Sequence, residues 1–212
     1  MTMIKKNLKT MIITSIIILA PIVVGLILWD KLPAEMATHF GENGEPNGWS
    51  SKPFAVIGMP LFLLAVHWFC AFFTGVDPKK ENISNKMMIL VLWICPVVSI
   101  FGCGSTYMYA LDNSMNTTSM GILLVGCAFL VIGNYMPKMK QTYTLGIKLP
   151  WTLNSEENWN RTHRLAGRVW MIAGVLVLIG GFMEQFWIVF VALLLAVVIP
   201  SVYSYMLYKK GV

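Results

Sequence analysis

Six long apolar segments recur along this chain, and they limit the folds open to it. A helix needs roughly 20 apolar residues to cross the hydrocarbon core of a bilayer. Six segments meet that requirement: Thr10–Trp29, Phe54–Thr74, Met87–Ala110, Thr118–Met136, Leu165–Met183 and Phe186–Tyr208. We therefore predict an all-α integral membrane protein with six transmembrane helices.

The composition agrees with that fold class. Hydrophobic residues make up 57% of the 212 residues and charged residues only 12%, whereas soluble domains carry about 25% charged residues. The first segment is too long for the apolar region of a signal peptide, and no small-residue cleavage site follows it. We therefore interpret it as a permanent helix.

The distribution of positive charge predicts the topology. Six spans place both termini on one side of the membrane, together with the second and fourth loops. Of the 16 lysines and arginines, all but Lys31 and Lys52 fall on that side. Because cytoplasmic loops carry the excess of positive charge, we predict that both termini are cytoplasmic. The net charge of +6 then reflects contact with anionic membrane lipids and does not indicate direct nucleic-acid binding.

The predicted spans lack the groups that proton relays and ion pathways use. Their interiors contain no Asp, Glu or Lys, and His67 is their one deeply placed ionisable side chain apart from tyrosines and cysteines. No metalloprotease, serine-hydrolase or phosphate-loop motif occurs in the sequence. We therefore predict a protein without catalytic residues, cofactors or a metal site, and we regard a transporter as the weakest interpretation.

The first loop, residues 30–53, is predicted to be extracellular and ordered. Two Asn-Gly pairs, Asn43-Gly44 and Asn47-Gly48, are strong turn signals. Flanking residues 36–40 and 49–52 have the lengths of short strands, which predicts a small hairpin-like cap. We expect His39, Gly44 and Trp49 to shape it.

A metal site in this loop has weak support from the sequence. Glu35, Glu42 and Glu45 lie near His39 in sequence, but their spacing matches no established metal-ligand pattern.

The fourth loop, residues 137–164, is predicted to be an ordered cytoplasmic segment, and we call it the signature loop. Its first half contains Gly146 and Pro150 and reads as irregular and extended. Asn154 is a candidate helix cap with Glu157 as its capping-box partner. From Ser155 the chain reads as a helix that continues into the fifth span. On this helix Trp159, His163, Gly167 and Trp170 share one face and three arginines share another.

Two interpretations of the signature loop remain open on chemical grounds. In one, its tryptophans and arginines only anchor the chain to lipid headgroups. In the other, it forms a docking surface beneath the helices, since Trp and Arg are frequent anchors of protein interfaces. The residues expected to shape that surface are Lys148, Pro150, Trp151, Glu156, Trp159, His163 and Arg164.

A family resemblance covers essentially the whole chain. The stretch from Gly133 to Trp170 contains an N-Y-x-P-K segment, a G-I-K-x-P-W-T-L-x-S-E-x-x-W run and a T-H-R triplet. Together these motifs resemble the signature of the SdpI-type bacterial immunity proteins. The first loop is similar to the extracellular DUF1648 region that precedes this signature in many members. The resemblance divides the chain into a DUF1648-like region, residues 1–110 with spans one to three, and an SdpI-type region, residues 111–212 with spans four to six.

The resemblance implies a non-enzymatic protein of the bacterial cell membrane that protects its host from a secreted toxin. It also implies a second role, in which the cytoplasmic side holds a small soluble repressor at the membrane. The expected partners are therefore membrane lipids, a toxin outside and a repressor inside. The alternative is a membrane enzyme or a lipid- or peptide-handling protein, with His163, Glu156 and Glu157 supplying acid–base chemistry in a cytoplasmic pocket.

Overall fold

The computed structural model of the chain confirms the multi-pass, largely helical fold class. It describes residues 3–41, 44–111 and 117–212. Within those residues, six helices are long and apolar enough to cross a membrane: Leu8–Ile27, Phe54–Gly75, Asn85–Leu111, Thr118–Lys138, Glu156–Phe182 and Phe186–Lys209. Each overlaps one predicted segment. The largest difference lies at the fifth, which begins nine residues earlier than Leu165 because it is continuous with the end of the signature loop.

The helices and strands follow one another as the hydropathy pattern predicts, with short additional elements between them. The α-helices are α1 Met3–Lys6, α2 Leu8–Ile27, α3 Met59–Gly75, α4 Asn85–Leu111, α5 Thr117–Tyr135, α6 Pro150–Asn154, α7 Glu156–Phe182 and α8 Phe186–Lys209. A π-helical turn, Phe54–Gly58, leads into α3. Short 3-10 turns cover Trp29–Lys31, Lys80–Asn82 and Met136–Lys138, and the strands are β1 Glu35–Phe40 and β2 Pro46–Ser51.

One compact unit comprises residues 1–76 and 85–118 and contains α2, α3, α4 and both strands. Polar groups tie its helices together inside the apolar interior. The Ser99 hydroxyl donates to the Ile18 carbonyl at 2.8 Å, and the Tyr107 hydroxyl donates to the Pro21 carbonyl at 3.1 Å. A hydroxyl inside a membrane has no water to bond, so each of these pairs satisfies a group that would otherwise be costly to bury.

The hairpin of this unit matches the predicted cap in position. β1 and β2 pair antiparallel, with Glu35 opposite Ser51 and Met36 opposite Ser50. Met36 packs into a buried cluster with Val56 and Tyr107, which fixes the hairpin against the ends of the helices. The predicted turn residue Asn43 lies outside the described residues, and Gly44 has the left-handed φ of 78° that such a turn requires. The second predicted turn pair, Asn47-Gly48, instead lies within β2, with Gly48 opposite His39, so its assignment as a turn is wrong.

The other compact unit comprises residues 77–84 and 119–212 and contains α5 to α8. Its apolar core lies between α7 and α8, where Ala173, Val177, Val189, Ala192 and Ala196 are buried together. Small residues bring α5 close to α7. A Cβ built on Gly167 would lie 2.8 Å from the Gly133 carbonyl oxygen and 2.6 Å from the Pro137 ring. Close helix approach through small residues is a common packing mode in membranes.

The start of α7 differs from the prediction by one residue. The N-cap is Ser155, whose hydroxyl accepts the Asn158 amide at 3.1 Å. The predicted cap, Asn154, is instead the last residue of α6, so the assignment of Asn154 as cap and Glu157 as its partner is wrong. A separate five-residue helix was not predicted because Pro150 was interpreted as part of an extended segment, whereas it occupies the first turn of α6. Glu157 instead forms an i, i+4 ion pair with Arg161.

Candidate functional site

The signature loop owes its shape to a packed centre formed by Gly146, Trp159 and His163. The Trp159 and His163 rings stack with centroids 4.0 Å apart, and the two residues are 0% and 1% exposed. Gly146 has a φ of 103°, and a Cβ at this position would lie 2.5 Å from His163 Nε2. The glycine of the G-I-K motif is therefore required both for backbone conformation and for close approach to the stacked rings.

Main-chain groups engage both ring nitrogens of His163. Nδ1 lies 2.9 Å from the Trp159 carbonyl oxygen, and Nε2 lies 3.0 Å from the Ile147 amide nitrogen. A carbonyl only accepts and an amide only donates, so this arrangement assigns the proton to Nδ1 and leaves Nε2 as the acceptor. The Trp159 indole also donates to the Met139 carbonyl at 2.8 Å. His163 and Trp159 thus hold the irregular segment 139–147 against α7.

Thr152 and Gln141 fix the short helix α6. The Thr152 hydroxyl accepts the Leu149 amide at 2.8 Å and lies 2.9 Å from the Ile147 carbonyl oxygen. At the other end of α6, the Gln141 amide donates to the carbonyls of Thr152 at 2.7 Å and Leu153 at 3.0 Å. The last carbonyls of a helix lack intrahelical partners. The buried Gln141 side chain therefore supplies the hydrogen bonds that the next turn of a longer helix would have made to these carbonyls.

Asn158 forms a second buried polar centre, between α7 and α8. Its side-chain nitrogen donates to the Ser204 carbonyl at 3.0 Å and the Val212 carbonyl at 3.2 Å. Its side-chain oxygen accepts from Thr162 at 3.1 Å and from Ser204 at 2.6 Å. The four hydrogen bonds use the donor and acceptor capacity of the amide. Sequence reasoning did not select Asn158, because an asparagine at the start of a helix is usually exposed.

The predicted docking residues separate into three groups by burial. Lys148, Pro150, Glu156 and Arg164 are exposed, Trp151 is half-buried, and Trp159 and His163 are buried. The structure therefore brings Trp159 and His163 together beneath the surface, where they position the loop. The His163 imidazole is not hydrogen-bonded to Glu156 or Glu157, the carboxylates predicted to act with it, because both of its nitrogens are hydrogen-bonded to main-chain groups.

Trp151 lines a pocket of about 500 Å³ together with residues from α6, the start of α7 and the end of the chain. Its ring lies 5.4 Å from that of Tyr205 and 5.9 Å from that of Tyr208, centroid to centroid. The buried indole nitrogen of Trp151 has no hydrogen-bond partner among the described residues. Besides Trp151 and Tyr208, the pocket is lined by Pro150, Asn154, Ser155, Gly211 and Val212. The pocket thus combines aromatic walls with polar groups at the helix ends.

The three residues predicted for the first-loop cap lie on the hairpin. His39 is exposed and its Nδ1 is hydrogen-bonded to the Asn47 side chain across the strands. Trp49 is 55% exposed. No group of three or more His, Cys, Asp or Glu side chains that would hold a metal ion is found in the described parts of the chain. His39 therefore contributes to the hairpin through Asn47.

Comparisons with known proteins agree with the sequence motifs. Residues 138–204 match the SdpI/YfhL protein family, and residues 16–64 match a domain of unknown function, DUF1648. The chain is 26% identical over 211 residues to a protein named "Immunity protein SdpI" from Bacillus subtilis (strain 168), and the alignment covers 96% of this chain and 98% of that relative. No solved structure matches the chain significantly. The predicted resemblance is confirmed, and with the six helices it identifies a multi-pass bacterial membrane protein.

Proposed function

We propose that this chain is a membrane immunity protein, which protects a bacterial cell from a secreted antimicrobial toxin. The observation that carries the proposal is the similarity to Immunity protein SdpI over 96% of this chain. That similarity extends through both the hairpin and the signature loop, as well as the six helices between and around them. An immunity role requires no catalytic group, and the main-chain hydrogen bonds of His163 disfavour an acid–base role for that residue.

The first-loop hairpin is the proposed toxin-facing surface. Most of the lysines and arginines lie in the segments predicted for the other side of the membrane from the hairpin, which favours an extracellular hairpin. The hairpin is held in place by Met36 in the buried cluster, and by the Lys52 ammonium group, which donates to the Trp29 carbonyl at 3.0 Å. A fixed backbone that presents the large, exposed Trp49 side chain suits recognition of an apolar or amphipathic peptide, because tryptophan is enriched at interface hot spots.

The signature loop is the proposed cytoplasmic docking surface for a small soluble repressor. Its residues Lys148, Pro150, Glu156 and Arg164 are exposed, and Pro150 lines the pocket beside the half-buried Trp151. Interface anchors are typically an aromatic or arginine side chain in a pocket with a polar rim. Retention of a repressor at the membrane would let the protein report toxin contact as a change in transcription.

The second candidate is a membrane enzyme or a lipid- or peptide-handling protein. The pocket of about 500 Å³ favours it, because small-molecule sites commonly have volumes of roughly 300–1,000 Å³. The bonding of His163 disfavours acid–base chemistry, since either proton transfer would require breaking a buried main-chain hydrogen bond. Purified protein incubated with lipid or peptide substrates would reveal turnover if this candidate held.

The immunity proposal is tested by expression in a toxin-sensitive Bacillus strain that lacks its own immunity protein. The strain is challenged with each secreted toxin encoded in the genome from which this chain comes. Survival above that of cells with an empty vector supports the proposal. Unchanged killing by all of those toxins, with the protein verified in the membrane, rejects it. The signalling role is tested separately. If a small repressor is encoded beside the gene, the measurement is the proportion of that repressor that sediments with the membranes when this chain is expressed.

A further inference from the structure

The proposed function assigns no role to the buried carboxylate of Asp77. Asp77 lies two residues after the end of α3, outside both regions that match known families, and it is 2% exposed. A buried carboxylate is costly unless hydrogen bonds compensate it. Its partners therefore indicate what the position is built to do.

The Asp77 side chain is hydrogen-bonded to the signature loop, whose nearest partner residue is 66 positions later in the sequence. Its Oδ2 accepts the amides of Tyr143 at 3.0 Å and Thr144 at 2.8 Å, and the hydroxyl of Thr144 at 2.7 Å. Its Oδ1 accepts the Lys79 amide at 2.7 Å, which closes a local turn around Pro78. Four donors thus converge on one carboxylate, and three of them belong to the loop.

Two further residues of the same short segment reinforce this attachment. The Asn82 side chain donates to the Gln141 main-chain carbonyl at 2.8 Å. The Lys79 ammonium group is hydrogen-bonded to the Gln141 side-chain oxygen and lies 5.8 Å from the centre of the Tyr143 ring. Gln141 in turn holds the end of α6 through the carbonyls of Thr152 and Leu153. A chain of hydrogen bonds therefore runs from residues 77–82 to the helix that carries Trp151.

We infer that Asp77 is a positioning residue for the signature loop, and through it for the docking surface that Trp151 and its neighbours form. The assignment of a docking role rests on the proposed function, whereas the attachment of the loop rests on the hydrogen bonds alone. Asp77 suits this task because an ionised carboxylate only accepts hydrogen bonds, and main-chain amides of an irregular segment only donate them.

The attachment is tested by hydrogen exchange of the full-length protein in lipid nanodiscs, comparing Asp77→Asn with the wild type. The amides of Tyr143 and Thr144 donate directly to Asp77, so they report the bond itself. Loss of a charge-assisted hydrogen bond makes these amides exchange about tenfold faster or more. Glu81→Gln is the matched control, because it neutralises an exposed carboxylate of the same segment. Thr144→Val removes only one of the four bonds and gives an intermediate rate.

Exchange at residues 143 and 144 that is unchanged in Asp77→Asn, or equally faster in Glu81→Gln, overturns the positioning role. The same variants are then assayed for membrane retention of a repressor encoded beside the gene and for toxin survival. Loss of retention by Asp77→Asn at unchanged protein level and survival supports the link to docking, and normal retention contradicts it. If the wild type itself neither retains a repressor nor protects cells, the proposed function fails while the exchange result stands.

Discussion

At the scale of single residues, the signature motif consists largely of groups that shape the loop and only partly of groups on its surface. Gly146, Trp159 and His163 form a packed centre, and Thr152 and Ser155 fix the starts of two helices. The sequence spacing correctly placed Trp159 and His163 on one face. The spacing did not indicate that this face is buried. Residues 139–147 cover it, and their irregular path is set by hydrogen bonds that produce no periodic pattern in the sequence.

The first prediction concerns the close approach at Gly146. Gly146→Ala adds a Cβ that lies 2.5 Å from the His163 ring at a φ of 103°, so it incurs both backbone strain and overpacking. We expect the free energy of unfolding to fall by about 3 kcal/mol. Gly211→Ala is the control, since Gly211 also has a positive φ but no atom within 4 Å of the added group. Equal losses for the two variants, measured by denaturant unfolding in detergent, would contradict the packing argument.

A second residue-scale prediction concerns the buried amide of Asn158. Asn158→Ala removes four hydrogen bonds and leaves the buried Ser204 hydroxyl without its acceptor. We expect a loss of about 2–4 kcal/mol in the free energy of unfolding. Asn160→Ala on the exposed face of the same helix should change it little. If the two alanine variants unfold at the same denaturant concentration, the polar centre between α7 and α8 contributes nothing to stability.

Among the elements, the six long helices follow from the length of the apolar runs. The hairpin agrees with the first Asn-Gly signal at Gly44, whereas the second, Asn47-Gly48, lies within β2 because strand pairing with His39 overrides its turn preference. Continuity of α7 from the loop into the membrane was likewise predicted from the absence of proline after Ser155. The helix α6 was missed, because five residues are too few for a hydropathy period and its ends depend on Thr152 and Gln141. Asp77 and Gln141 were missed because the hydrogen bonds that join residues 77–82 to the signature loop connect residues about 60 positions apart in sequence.

The element-scale prediction concerns the contact between α5 and α7. Gly167→Ala places a methyl group 2.8 Å from the Gly133 carbonyl oxygen and 2.6 Å from the Pro137 ring, which forces the two helices apart. We expect destabilisation of about 1–3 kcal/mol. In Gly121→Ala, on α5, the added group meets no atom within 4 Å. A thermal midpoint for Gly167→Ala that equals that of Gly121→Ala would show that close approach is not required there.

At the scale of the whole molecule, the chain is a six-span membrane protein with one ordered segment in the first loop and another in the fourth. The proposed function assigns the hairpin to an extracellular toxin and the signature loop to a cytoplasmic partner. The charge distribution predicts the sides, and the similarity to Immunity protein SdpI over 96% of the chain supports the role. Cysteine labelling of Ser51→Cys and Lys210→Cys in intact cells should label the first position only, and labelling of both or of Lys210→Cys alone would contradict the topology.

The immunity role is measured most directly by survival of a toxin-sensitive strain that expresses this chain at a verified level in the membrane. The wild type is predicted to protect the cells from a secreted toxin of its own genome. Trp49→Ala is predicted to lose protection, while Phe62→Ala, which removes an exposed aromatic side chain within a span, retains it. Killing that is equal with and without the wild-type protein, across those toxins, would rule out an immunity role.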